Sequence, residues 1–218
     1  MTTAMPRHVT CGLCNSVVEV FELASTNRFG SPDLDLRPPP LARHTLEYQI
    51  SRCPECGFAA VDLSQPCTGD ADLVVGDTYR SILESDQPEL AKSFACASTL
   101  HQARGDDVSA SACSLRAAWV CDDEQHAERA VEHRAACAEL LTRALDQEEA
   151  EAQETVGITV VLIDVLRRAR LFDEAMERCR ALLADANASD LSDVARFQAR
   201  LIEQRDDACH KLNELEGR

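Results

Sequence analysis

Aromatic side chains are scarce in this sequence, 4% of 218 residues, with one Trp and two Tyr. Sheet sandwiches lean on aromatic and β-branched residues. The shortage, beside abundant Ala and Leu, therefore points to packed helices. Basic residues are outnumbered, with 22 Lys and Arg against 38 Asp and Glu, a formal charge of -16 and a pI near 4.7. A surface of that sign repels phosphate. It disfavours nucleic-acid and anionic-membrane binding, and suits either a basic protein partner or plain solubility. Long apolar runs are missing too. The densest, Ile158 to Ile163, stops at Asp164, far short of the ~20 residues that span a bilayer. Residues 1–10 lack the apolar core of a secretory signal, so a cytoplasmic location and reduced thiols are expected. There is no nucleophile elbow, no Gly-rich phosphate loop and no His-Glu-x-x-His, and no catalytic residue is nominated.

Proline nearly vanishes after residue 66, where Pro88 stands alone. This divides the chain into residues 1–66 and residues 67–218, with Gln65-Pro66-Cys67-Thr68-Gly69-Asp70 as the linker. The first part has a net charge of -2 and the second -14, which together make the -16 of the chain. The expected class is α+β: a small N-terminal zinc-ribbon-like β domain, then an all-α helical domain.

In the first part, Val17, Val18, Val20, Phe21 and Leu23 read as a strand. Leu46, Tyr48 and Ile50 alternate with Glu47 and Gln49, the period of a half-buried strand running into Cys53. Between them, 27–40 is extended, cannot be helical across its prolines, and is expected to bulge out as a loop.

The second part reads as successive helices. Leu90, Ala91, Phe94, Ala97 and Leu100 form a stripe after Pro88 that ends at Gly105. Helices follow over about 108–121, 124–147 and 155–169, the last apolar nearly all round and so central. Another ends near Asp185. The segment 190–215 carries Leu191, Val194, Leu201, Ile202, Ala208, Leu212 and Leu215, a spacing that caps the stack or makes a homodimeric coiled-coil contact.

Eleven cysteines stand out, four of them in two Cys-x-x-Cys pairs: Cys11 with Cys14, and Cys53 with Cys56. Each pair sets two sulfurs on one ion, and four thiolates in a tetrahedron are what structural Zn2+ takes. The residue after such a turn often needs a left-handed backbone, which Gly57 supplies and Asn15 tolerates. Strand-like stretches beside each pair complete a zinc-ribbon layout. A segment of about 60 residues buries too little surface for comfort alone, and zinc supplies on the order of 10 kcal/mol. Two readings compete. A thioredoxin-type redox pair needs a βαβ context that is absent, and a mixed-ligand zinc could draw on His8 or His44. The other seven cysteines fall mostly in Ala/Leu-rich stretches, as small apolar side chains. His126 and His133, with Glu132, read as a solvated helix face. Asp122-Asp123-Glu124 and Glu148-Glu149-Ala150-Glu151 read as helix ends or exposed faces.

Val9-Thr10-Cys11-Gly12-Leu13-Cys14, Asp33-Leu34-Asp35-Leu36-Arg37-Pro38 and Arg52-Cys53-Pro54-Glu55-Cys56-Gly57-Phe58-Ala59-Ala60 together resemble a bacterial domain-of-unknown-function family. Its members join two such Cys pairs to TPR-like helices. The resemblance covers residues 9–63 and implies zinc and a helical tail, but no activity. Arg170-Leu171-Phe172-Asp173-Glu174-Ala175 is similar to the turn of one TPR unit, though a solenoid needs at least three, and a plain helical bundle stays open.

The sequence thus points to a non-catalytic protein-interaction module with a four-cysteine zinc site. A nucleic-acid-associated ribbon using Arg7, Arg28, Arg37, Arg43 and Arg52 is the alternative, and an enzyme in the ribbon–helix cleft is the third. The loop 27–43, with Phe29, Leu34 and Leu36, is expected either to clasp a partner or to pack back on the helices.

Overall fold

The computed structural model describes residues 3–147 and 152–215. Thr3–Thr10 (β1) and Val17–Ser25 (β2) pair antiparallel, with Arg7 opposite Val20 and Val9 opposite Val18. Ser51–Arg52 (β3) and Ala59–Ala60 (β4) form a second antiparallel pair. Each pair of strands brackets one Cys-x-x-Cys. β2 lies where its apolar run placed it. β1 escapes a sequence reading because Pro6, Arg7 and His8 interrupt its pattern.

The stretch leading into Cys53 departs from expectation. Instead of a strand, Pro40–Arg43 (α1) and a 3-10 turn at Leu46–Tyr48 carry the chain, and only Ser51–Arg52 is extended. Leu46 and Ile50 are four residues apart. A helical turn therefore buries both on one side, as an alternating strand also would.

Beyond residue 67 the described regular structure is helical, apart from a single bridge between Asp33 and Lys211. The helices are Asp70–Val75 (α2), Asp77–Glu84 (α3), Glu89–Ala103 (α4), Asp107–Asp123 (α5), Ala127–Gln147 (α6), Ala152–Arg168 (α7), Phe172–Ala184 (α8) and Ser192–Glu203 (α9). The class is α+β. No helix among the described residues is long and apolar enough to cross a membrane.

One turn geometry recurs through the helical part. Gly105, Gln125, Arg170 and Arg205 are left-handed, with φ of 75°, 63°, 63° and 51°. Each closes the preceding helix with the same two bonds. Gly105 N–H donates to Gln102 O and Asp106 N–H to His101 O, both at 3.0 Å. Arg170 and Leu171 repeat this with Arg167 O and Leu166 O at 3.0 and 2.9 Å. This pair of hydrogen bonds satisfies orphan carbonyls of a helix end. At the first three sites the next helix begins two residues later, so α4 and α5, α5 and α6, and α7 and α8 form tight hairpins. Small residues let α4 and α5 approach closely: Ser98 and Ser114 hydroxyls meet at 2.9 Å, with Ala91, Ala117 and Ala118 fully buried.

The last helix is shorter than the 190–215 pattern suggests. It stops at Glu203, Arg205 turns the chain, and Leu212–Leu215 forms a 3-10 turn whose two leucines pack on the helical core. The heptad-like spacing thus serves an intramolecular contact. Glu148, Glu149 and Glu151 lie outside the described residues.

The middle of the Pro-rich loop is buried instead of bulging. Asp33, Leu34, Asp35 and Arg37 are each no more than 3% exposed, while Phe29 and Leu36 stay in solvent. The C-terminal segment clasps it, with Leu34 N–H donating to His210 O and Leu212 N–H to Pro32 O, both at 2.9 Å. Asp35 accepts from Trp119 Nε1 at 2.8 Å and from Arg168 Nη1 at 3.0 Å. Arg168 also reaches Asp122 at 2.8 Å, and Arg134 grips the same carboxylate at 3.1 and 2.5 Å. Arg37 pairs with Asp123 at 2.5 Å, and both oxygens of Asp33 accept from Arg43 at 2.6 Å. Asp122, partly buried, is therefore a partner in this network, while Asp123 stays exposed at the end of α5 and reaches it through Arg37. Burial raises the Asp122 carboxyl, but the Arg134 and Arg168 bonds outweigh it and hold the group below its ordinary range.

Removing one member of a buried ion pair strands the other charge, at about 3–5 kcal/mol. Asp35→Ala is expected to destabilise the protein by about that much in urea unfolding. Leu36→Ala, one residue away and exposed, should change stability by less than about 0.5 kcal/mol. Equal, small effects from both would show that the loop is not held by Asp35.

Candidate metal centre

The two Cys-x-x-Cys turns fold alike. Cys11 N–H donates to Ser16 O and Asn15 N–H to Cys11 O, both at 2.8 Å. Cys53 N–H donates to Phe58 O at 2.8 Å and Gly57 N–H to Cys53 O at 2.9 Å. Asn15 and Gly57 take the left-handed conformation, with φ of 62° and 80°. These two positions are the ones the spacing requires to be left-handed, because the chain must reverse within five residues while both sulfurs stay on one side. Gly12 donates its N–H to Leu63 O at 2.9 Å, and a Cβ there would run into Pro66 and the Ser64 carbonyl. The first knuckle is thus seated directly on the segment that follows β4.

This arrangement brings the four sulfurs of Cys11, Cys14, Cys53 and Cys56 within 4.8 Å of one another. Cys11 Sγ lies 3.7 Å from Cys56 Sγ, and Cys14 Sγ lies 3.5 Å from Cys53 Sγ. Cys11 and Cys53 are fully buried and Cys14 is exposed. The set can hold a metal ion, and among the described residues neither His8 nor His44 joins it. His8 stands opposite Glu19 on the hairpin.

Ser16, which the sequence reading passed over, touches two of the sulfurs. Its hydroxyl lies 3.0 Å from Cys14 Sγ and 3.2 Å from Cys53 Sγ. Hydrogen bonds from the Ser16 hydroxyl and backbone pull the Cys14 thiol down to about 6. Burial pushes Cys56 up to about 12 and raises Cys11, despite backbone N–H bonds that favour their thiolates. A metal held here would find the Cys14 thiol the readiest of the three to ionise and would displace protons from Cys11 and Cys56.

The second knuckle is fastened to the helices by one side chain. Tyr79 of α3 is fully buried; its hydroxyl donates to Gly57 O at 2.9 Å and accepts from Ala59 N–H at 3.0 Å. Tyr79 shares a small core with Cys11, Cys53, Phe58 and Leu63 from the ribbon and with Cys96 and Leu100 from α4. No sequence signal marked Tyr79, because α2 and α3 precede the first clear helical stripe.

The other thiols sit apart. Burial pushes Cys96, Cys113 and Cys121 up to about 11 and Cys137 up to about 12, which makes them poor nucleophiles. His133 departs from the solvated face expected of it. It is partly buried beside a cavity of about 320 Å³, its Nε2 lies 2.6 Å from Gln87 Oε1, and burial lowers its pKa to about 4.

A family described as an uncharacterised protein conserved in bacteria (DUF2225) matches residues 5–202, from β1 nearly to the end of α9. Neither a curated protein nor a solved structure matches the chain.

Groups that hydrogen-bond metal ligands from behind typically carry 10–100-fold in affinity. Ser16→Ala is expected to weaken metal binding by about tenfold, measured by competition with a chromophoric chelator at pH 7. An unchanged affinity would show that the hydroxyl does nothing for the thiolates.

Proposed function

The chain belongs to the bacterial DUF2225 family, and from that premise we propose that it is a non-catalytic protein-interaction module whose N-terminal ribbon is held by one structural Zn2+. The closed set of four thiols carries this reading. A tetrahedron with Zn–S bonds of ~2.3 Å has edges of about 3.75 Å, and the spacings of 3.7 and 3.5 Å sit close to that. With every position taken by a cysteine there is no open site for substrate, which is the mark of structural zinc. Cys11, Cys14, Cys53 and Cys56 would hold the ion, and its role is to fix the ribbon.

The helical hairpins behind it support a TPR-like stack that presents a surface to another protein. Phe172 and Ala175 are buried at the Arg170 turn, against Leu162, Ile163 and Leu166 of α7, the packing such a unit uses. The charge of -16 favours a basic partner. The nucleic-acid alternative draws less support. Four of the ribbon's five candidate arginines are paired, Arg7 with Glu22, Arg37 with Asp123, Arg43 with Asp33 and Arg52 with Glu89. Those charges are engaged by carboxylates instead of facing phosphate.

Elemental analysis of reduced protein is expected to give one zinc per chain. Cys56→Ser should abolish it, while Cys113→Ala, Cys137→Ala and Cys209→Ala should leave it unchanged. Iron in place of zinc, or no metal, would contradict the structural-zinc reading. Retention on DNA or RNA that falls with salt would favour the alternative over a protein partner.

A further inference from the structure

We infer that the seam between the N-terminal part and α4–α5 holds a binding site for a small monocarboxylic acid with an apolar body. The inference goes beyond the protein-interaction reading and does not depend on it.

A cavity of about 420 Å³ opens at this seam, a size within the range of sites that take small molecules. Ile50 and Val61 border it from the N-terminal part, and Phe94 of α4 with Ala112 and Cys113 of α5 border it from the helices. Ile50 and Phe94 are nearly buried and make an apolar floor, whereas Val61 is 80% exposed. A second cavity of about 190 Å³ shares Ile50, Val61 and Cys113 with the first and adds Ala97 and Leu100, so the apolar wall continues beyond one pocket. Such walls, with a few placed polar groups, are what small-molecule sites are built from, and the seams between units are where they recur.

Charge decides the ligand's head group. The chain has 38 acidic residues against 22 basic ones, yet no carboxylate lines the larger cavity. Arg116 does line it. Its Nε donates to Gln49 Oε1 at 2.9 Å and its Nη1 to Ala112 O at 2.8 Å. These bonds fix the guanidinium across the seam and leave Nη2 a charged donor with no partner among the described residues. The acids close by are engaged elsewhere. Asp106 accepts from Ser109 N–H at 3.0 Å and lies 3.1 Å from His101 Nδ1. Asp62, on the smaller cavity, accepts from Ser64 and Gln65.

A carboxylate would give Arg116 a charge-assisted bond, while the apolar body covers Val61, Ala112 and Cys113. A cation would meet Arg116 with like charge. A dianion such as a phosphate would set its second charge against an apolar wall, at a desolvation cost. A peptide would bring amide groups that each need a partner, which a wall with one free cationic donor serves poorly. One negative charge on an apolar body fits best.

The test is isothermal titration calorimetry of the full chain, as purified and reduced, with sodium octanoate, octanamide and acetate. Octanoate is expected to bind at least about tenfold more tightly than either of the others, since one is uncharged and the other lacks the body. Arg116→Gln should weaken octanoate about tenfold and leave octanamide unchanged. Ala112→Trp, which fills the cavity from a partly exposed helix position, should abolish binding of both. No binding of octanoate at millimolar concentration, equal binding of octanoate and octanamide, or octanoate binding unaltered by Arg116→Gln overturns the proposal. Tighter binding by a peptide that ends in a free leucine carboxylate overturns it in favour of a protein C-terminus. Should Arg116→Gln or Ala112→Trp fail to fold, the exposed Val61 carries the test. Val61→Glu should then bind octanoate several-fold more weakly than Val61→Gln and octanamide equally well; equal octanoate binding by the two overturns the proposal.

Discussion

Four sulfurs brought within 4.8 Å of one another are the constraint on which the ribbon depends. Without a common partner, four such thiols would offer only weak contacts. Two of them are fully buried, and the strands around them supply little else: β3 and β4 are two residues each, and β1 and β2 are largely exposed. A lone two-stranded hairpin is marginal in water. A shared metal would turn this poverty of core into a defined geometry, because one ion would fix both knuckles at once.

The helical body is held differently. Its core is broad, built from α4 to α9 with Leu34, Leu46 and Ile50 added from the N-terminal part. Within it lies a set of charges that water would otherwise claim. Asp35, Arg134 and Arg167 have side chains no more than 2% exposed. Such groups gain little net stability over apolar ones of the same shape, but each is costly to orphan. Their effect is to specify where the 33–37 segment, Trp119 of α5 and the end of α7 meet. Tyr79 makes the corresponding link between the second knuckle and α3. The ribbon and the helices thus share apolar packing, and a few polar contacts fix how that packing is arranged.

These two regimes explain what could be read from the sequence. The cluster of four cysteines is legible because thiolate chemistry imposes a spacing, and the left-handed demand at Asn15 and Gly57 follows from the turn itself. Helices are legible where a stripe faces the core, as from Leu90 to Leu100. The breaks near 105, 122 and 171 are legible as well, but the left-handed residues Gln125, Arg170 and Arg205 that close them are not, since sequence reasoning looks to glycine for that conformation. Leu46 and Ile50 satisfy both a helical and an alternating pattern, so period alone could not decide. Asp-Leu-Asp-Leu-Arg reads as a polar loop until its partners, drawn from α5, α6 and α7, are in place. Leu212 and Leu215 match a coiled-coil seam in spacing, but the chain reverses at Arg205 before they are reached.

If one metal organises the ribbon, the helical body should keep its own core without it. Hydrogen exchange on the intact chain, before and after chelation, measures this directly. The expected result is loss of protection in β1, β2 and 51–60 on metal removal, with α5 to α9 retaining theirs. Unchanged protection in the ribbon after complete metal loss would contradict the account, and so would simultaneous loss across the whole chain.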